Sequence, residues 1–184
     1  MKNWKINGLV FIAAGLAWLG SFTVTRYLMP YLQGAPGIDY IFIPSGVRMI
    51  AIMAGGIWAA LGVAAGSLFL VGSEFQLTNP LIKLTLAAGT GLFPYAALRA
   101  SLWALGVDSR LTQLTPAKLP FISLGVAIGS AALHNLQYCA VGTQPWSSFF
   151  ANVAAMATGD FTGTLIAVVI VFVVLRFLRK NSAA

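Results

Sequence analysis

Long apolar runs separated by short polar segments make up most of this chain. A membrane-spanning helix needs about 20 mostly apolar residues, and most of the runs approach or exceed that length. The predicted spans cover residues 8–28, 40–55, 57–71, 81–105, 119–141 and 149–178. The predicted fold class is therefore all-α. We expect a single integral membrane domain over residues 1–184, built as a bundle of about six transmembrane helices.

The second predicted span is interrupted by Pro44, Ser45 and Gly46. Proline removes a backbone donor and disfavours a helix interior, so we expect helix 2 to be broken at Pro44–Gly46. The pair Gly55-Gly56 then allows a tight reversal into the next span. A helix that starts within the membrane presents free N–H groups and the positive end of its dipole. Short, interrupted spans of this kind mark binding sites in transporter-like folds.

The charges of the sequence indicate both the class of protein and its orientation. Only 8% of the residues are charged and 59% are hydrophobic, whereas a soluble domain has about 25% charged residues. Six spans with an inner N-terminus place seven basic residues inside (Lys2, Lys5, Arg110, Lys118, Arg176, Arg179 and Lys180) and two outside (Arg26 and Lys83). The positive-inside rule then predicts a multi-pass protein of the bacterial inner (cytoplasmic) membrane, in contact with lipid, with both termini cytoplasmic. No basic patch is interleaved with aromatic residues, so no nucleic-acid partner is expected.

Four ionisable residues, Arg48, Arg99, His134 and Asp160, fall inside predicted spans, and Arg99 is close enough to the end of its span to reach the cytoplasm. A charge at the bilayer centre costs at least about 2.5–3.5 kcal/mol, so such groups usually face the bundle interior and find partners. We therefore expect Arg48 to pair with Asp160. One interpretation is a binding site for a small polar or anionic ligand, formed by these residues with His134 and the backbone N–H groups near Ser45 and Gly46. The other is a buried ion pair that fixes helix register, with Ser45 as a helix cap.

Catalysis and metal binding have little support in the sequence. Ser45 and His134 could form the dyad of an intramembrane serine protease, but Pro44 fits poorly before such a nucleophile and no second motif supports it. Cys139 and His134 are each the only residue of their type, which argues against the usual metal sites. We expect no enzyme activity, no metal and no cofactor.

Three pairs of glycines recur at a spacing of four residues, which places both members on one helix face. We expect these faces to be sites of close helix packing. The pairs are Gly62 and Gly66, Gly125 and Gly129, and Gly159 and Gly163.

Three short motifs resemble the MASE1 family of bacterial membrane-embedded sensor domains. They are Ile43-Pro-Ser-Gly-Val-Arg-Met-Ile-Ala51, Gly62-Val-Ala-Ala-Gly-Ser67 and Gly159-Asp-Phe-Thr-Gly-Thr164. The resemblance covers residues 38–178 and implies a non-enzymatic sensory or ligand-binding module. Its family-like positions are Pro44, Ser45, Gly46, Gly159 and Asp160. MASE1 modules feed cytoplasmic output domains, and no such domain follows the last span here, so we expect action through a separate membrane protein or a homo-oligomer.

Two other functions remain open from the sequence. Six short spans with broken helices also suit a small-molecule transporter, or the substrate-capture subunit of an energy-coupled vitamin importer. Small-residue faces would equally serve an accessory subunit of a larger membrane complex.

Overall fold

Five long helices form most of the computed structural model, which describes residues 4–108 and 111–182. They are α1 (Trp4–Leu28), α2 (Ile43–Glu74), α3 (Pro80–Ala104), α4 (Leu119–Ala140) and α5 (Phe149–Ser182). A short antiparallel pair of strands, β1 (Gln33–Ala35) and β2 (Ile38–Asp39), lies between α1 and α2. Single 3₁₀ turns occupy Pro30–Leu32, Pro116–Lys118 and Trp146–Ser148. The predicted all-helical fold class is confirmed, and each of the five long helices is long and apolar enough to cross a membrane.

Helix α2 reverses its direction at Gly56. This residue has φ 58° and ψ −139°, a conformation that glycine adopts far more readily than other residues. Arg26 in α1 bonds both Asp39, which precedes α2, and Glu74, at the end of α2. A straight helix of this length would hold its ends about 48 Å apart, so the two arms, 43–55 and 57–74, must run antiparallel. The reversal is the one that Gly55-Gly56 predicts.

The predicted break at Pro44–Gly46 and the count of six spans are not confirmed. Helix α2 begins at Ile43 and no helix lies between β2 and that residue, so Pro44 belongs to the first turn. Proline is well tolerated there because its missing N–H would have no intrahelical partner. The arm 43–55 is shorter than the roughly 20 residues that a span needs. The described chain therefore has five long helical segments, and one of them, α2, consists of two antiparallel arms joined at Gly56.

All three predicted glycine pairs pack against a neighbouring segment of the same chain. A Cβ at Gly66 would lie 2.9 Å from the carbonyl oxygen of Gly15, and one at Gly129 would lie 3.0 Å from Cβ of Ala97. The other pair members face Phe11 (Gly62), Ser101 (Gly125), Asp39 (Gly159) and Phe42 (Gly163). These glycines therefore allow α1 to approach α2, α3 to approach α4, and α5 to approach the start of α2.

The start of α1 and the end of α5 lie at the same end of the bundle. Helix α1 runs opposite to the arm 43–55, since Phe22 contacts Phe42 while Val10 faces Gly55. Helix α5 runs parallel to that arm, from Asp39 opposite Gly159 to Gly46 opposite Ala167. We call the end that contains Arg26, Asp39 and Glu74 the Arg26 end. Helices α1 and α5 respectively begin and finish at the opposite end.

Replacing Gly56 with alanine should destabilise the protein by about 1–3 kcal/mol, because alanine disfavours this backbone conformation. A Cβ would meet nothing within 4 Å at Gly56 or at Gly20, and of these two residues Gly56 alone has a positive φ. Gly20→Ala is therefore a matched control that should leave stability unchanged or raise it slightly, because Gly20 lies inside α1 and alanine favours a helix interior. The free energy of unfolding of both variants is measured in mild detergent, with tryptophan fluorescence as the signal. Equal effects of the two substitutions would contradict the assignment of the reversal to Gly56.

Candidate functional site

A cavity of about 60 Å³ lies inside the bundle, between α1, both arms of α2, α3, α4 and α5. One water molecule needs about 10–15 Å³ of such space, so the cavity has room for about four to six waters or one molecule of similar size. Aromatic and aliphatic side chains form much of its wall. The charged side chains in the described part of the wall are Arg26, Asp39, Arg48, Glu74 and Asp160.

The predicted pairing of Arg48 with Asp160 is present at this cavity. Arg48 Nη2 donates to Asp160 Oδ2 at 3.1 Å, and both residues are 5% exposed. Arg48 Nη1 makes a long contact of 3.4 Å with the carbonyl oxygen of Thr90, and the guanidinium lies 5.3 Å from the centre of the Trp18 ring. A guanidinium has five N–H donors, so most of the Arg48 donors make no bond to the described residues.

A second ion cluster lies at the Arg26 end of the cavity. Arg26 binds both carboxylate oxygens of Asp39, with Nη2 3.2 Å from Oδ2, and also donates to Glu74 Oε1 at 2.7 Å. The same Glu74 oxygen accepts from Gln33 Nε2 at 2.6 Å and from the backbone N–H of Gly37 at 3.1 Å. Glu74 therefore ties the β1–β2 hairpin to the end of α2.

Sequence reasoning missed this cluster and placed Arg26 only as a basic residue at a span end. The available signal was that Asp39 and Glu74 are two of only four acidic residues and both lie close to span ends.

The electrostatics of the cluster affect the acidity of Asp39. Burial raises the pKa of the Asp39 carboxyl, and the nearby Glu74 adds to this, while Arg26 opposes it.

His134 lies in the same cavity wall as Arg48 and Asp160. Its Nδ1 is 2.8 Å from the carbonyl oxygen of Ser130. A carbonyl can only accept, so Nδ1 carries the proton and Nε2 is left as an acceptor. Its ring packs edge-on against Phe93, with 5.1 Å between the ring centres. Nε2 makes no hydrogen bond to the part of the chain that is described.

Ser45 and Gly46 lie at the contact between α2 and α5 and are not part of the cavity wall. The hydroxyl of Ser45 is 2.6 Å from the carbonyl oxygen of Phe42 and 2.8 Å from that of Asp160. A Cβ at Gly46 would lie 2.9 Å from Cα of Thr164. The start of α2 is thus covered by α5, so its backbone N–H groups do not form the open anion site that the sequence suggested. Phe42, and not Ser45, is the N-cap residue of α2.

The structure does not join Ser45 and His134 into a catalytic dyad. The hydroxyl of Ser45 contacts Phe42, Asp160 and Thr164, while Nδ1 of His134 contacts Ser130. Within residues 4–108 and 111–182, no three His, Cys, Asp or Glu side chains are grouped so that they could hold a metal ion.

The chain matches no protein-family model, no curated protein and no solved structure. Its resemblance to MASE1 therefore depends on the short motifs in 43–51, 62–67 and 159–164. Two of these motifs meet in the fold, where Gly163 packs against Ile43 and Thr164 lies against Gly46.

Replacing Arg48 with alanine should cost about 3–5 kcal/mol of stability, because Asp160 would be left as an unpaired buried charge. Arg99→Ala is the control: Arg99 is also on a long helix but is exposed, so its loss should cost little. The double variant Arg48→Met with Asp160→Leu should recover most of the loss, because no unpaired charge remains. Unfolding experiments in detergent measure the stability of the two single variants and of the double variant. Similar losses for the two single arginine variants would contradict a buried, paired Arg48.

The raised pKa of Asp39 predicts a pH dependence of stability. The folded state then binds this proton more tightly than the unfolded state. The resulting stabilisation is fully present below the ordinary pKa of an aspartate and is lost as the pH rises through the raised value. Asp39→Asn should remove this part of the pH profile, while Asp108→Asn, in an exposed loop, should keep it. An unchanged profile in Asp39→Asn would refute the prediction.

Proposed function

We propose that this chain is a non-enzymatic, MASE1-like module of the bacterial inner membrane that binds a small polar ligand and acts through a separate partner protein. The observation that carries the proposal is the cavity beside the Arg48–Asp160 pair. Side chains in protein interiors are close-packed, so a pair that only fixed helix register would need no such space. Arg48, Asp160 and His134 keep hydrogen-bonding groups that no described residue satisfies, and these groups give a polar ligand something to bind.

The distribution of basic residues supports an orientation with both termini in the cytoplasm. In this proposal each of the two arms of α2 crosses the membrane separately. Together with α1, α3, α4 and α5 they give six membrane-spanning segments. The start of α1, with Lys5, and the end of α5, with Arg176, lie at the end opposite Arg26. Lys118, before α4, lies at that end too, since it donates to the carbonyl oxygen of Leu105 after α3. The positive-inside rule favours this end as cytoplasmic, so the cavity would open towards the outer face.

Helix α5 provides a route from the cavity to a cytoplasmic partner. It contributes Asp160 to the cavity wall and continues to the opposite end of the bundle. Among the residues of α5 whose side chains are described, Ala167 is the last that is buried, and those from Val168 onwards are exposed. Ligands commonly shift packed helices by about 1–2 Å. Such a shift of α5 against α2 would move a helix surface that is available to a partner or a second copy of the chain.

The accessory-subunit alternative loses part of its basis in the structure. The faces of Gly62 and Gly66, and of Gly125 and Gly129, are already used for packing within the chain. The substrate-capture alternative keeps one specific support, since a cavity near one end of the bundle also suits a protein that takes up its ligand from one side of a membrane.

Purification from native membranes in mild detergent, followed by native mass spectrometry, tests the proposal. The wild type should retain a small molecule and a partner protein. Arg48→Lys should lose the small molecule, because lysine lacks the planar donor fork that positions Asp160 beside the cavity, and Arg99→Lys should retain it. Ser67→Leu provides a second loss variant, since Ser67 lies in the cavity wall but belongs to none of the three ion pairs described above. A wild type that carries only a stoichiometric complex, unchanged in every variant, would instead establish an accessory subunit.

A further inference from the structure

The charged side chains around the cavity do not balance. Two guanidinium groups, Arg26 and Arg48, face three carboxylates among the described residues of its wall: Asp39, Glu74 and Asp160. With all five ionised, the sum is 2 − 3 = −1. Both guanidinium groups already form ion pairs with these carboxylates. An anionic ligand would increase the excess negative charge, whereas a cation would cancel it.

Two buried acceptors in the wall also lack donors. Asp160 accepts one hydrogen bond on its carboxylate, on Oδ2, and Oδ1 accepts none from the described residues. Nε2 of His134 is the second such acceptor, because Nδ1 holds the proton. The two residues are only 5% and 3% exposed, so bulk solvent does not satisfy them. Acceptors without donors call for a ligand with N–H or O–H groups.

Aromatic rings in the same cavity wall already lie against the cationic guanidinium groups of Arg26 and Arg48. Trp18, Phe22 and Phe42 contact one another, with ring centres 5.8–5.9 Å apart. The guanidinium of Arg26 lies 4.8 Å from the centre of the Phe22 ring, and that of Arg48 lies 5.3 Å from Trp18. The faces of such rings attract cations electrostatically. Two buried donors in the described wall lack partners, Trp18 Nε1 and Arg26 Nε, and both are enclosed by protein. The remaining N–H groups of Arg48 belong to a guanidinium whose charge Asp160 already balances, so they do not offset the excess negative charge of the wall.

We infer that the cavity binds a small organic monocation with N–H donors, a protonated amine of about four to six non-hydrogen atoms. Its ammonium group donates to Asp160 Oδ1 and His134 Nε2, and its carbon atoms lie against the aromatic rings. The size follows from the cavity, since each water-sized position holds about one non-hydrogen atom. This inference rests on the proposed ligand-binding function and names the class of ligand for the same site.

Calorimetric titration of the purified protein near neutral pH tests the class of ligand. Four probes of five non-hydrogen atoms each separate the contributions: n-butylammonium, tetramethylammonium, 1-butanol and propionate. We expect n-butylammonium to bind at least about tenfold more tightly than 1-butanol and propionate, because only it carries the compensating charge. Tetramethylammonium should bind more weakly than n-butylammonium, because it has no N–H group to donate.

The variant Glu74→Gln tests whether the excess charge in the wall determines this preference. It removes one negative charge while it keeps the size of the side chain and an oxygen that can accept from Gly37. The affinity for n-butylammonium should fall about tenfold or more, while the affinity for 1-butanol should not change. Asp108→Asn is the matched control, because it removes the same charge from the exposed loop after α3, where Asp108 bonds Thr112. Binding in this control should equal that of the wild type.

The outcomes separate this inference from the proposed function. Propionate or 1-butanol binding as tightly as n-butylammonium would overturn the cationic class, while a ligand site would still stand. Equal losses in Glu74→Gln and Asp108→Asn would overturn the local charge argument. No binding by any probe would overturn the inference, and the proposed function would fail with it only if native purification also retains no small molecule.

Discussion

The pairing of Arg48 with Asp160 is the constraint on which the rest of this bundle depends. A buried charge that loses its partner is strongly destabilising, and Arg48 and Asp160 are buried partners, so α2 and α5 must meet at one particular register. Gly159 and Gly163 make that register possible, because they let the backbone of α5 approach residues 39–43. The pair therefore positions two helices, and through them the cavity between all five.

The same argument explains how far the sequence could predict this structure. Apolar runs bounded by proline or glycine predicted α1, α3, α4 and α5 to within a few residues, because hydrophobic length and backbone breakers are local properties. The Arg48–Asp160 pair was also predictable, since Asp160 is the one acidic residue inside a predicted span. Proline at position 44 was misleading, because the same residue breaks a helix from within or begins one.

The cavity and the Arg26 cluster could not be predicted in this way. Arg26 and Asp39 are only 13 residues apart, but Glu74 is 48 residues from Arg26 and reaches the other two because α2 folds back at Gly56. Nothing local distinguishes Glu74 as an acceptor for Gln33 and Gly37 from an ordinary charge at a helix end. The position of Gly46 was similarly hidden, since its exposure depends on where α5 lies. Features that depend on the contact of distant helices need the fold before they can be described.

The reversal at Gly56 affects how the sequence of such a protein can evolve. Because α2 begins and ends at the Arg26 end of the bundle, its presence does not alter the direction in which any other helix runs. Helices α1, α3, α4 and α5 would keep their directions if the segment between α1 and α3 were shortened to a simple loop. The remaining four helices would then form an up-and-down bundle of a common type. In this sense α2 is an insertion that adds Arg48 and Glu74 to the interior of a four-helix frame, beside the cavity.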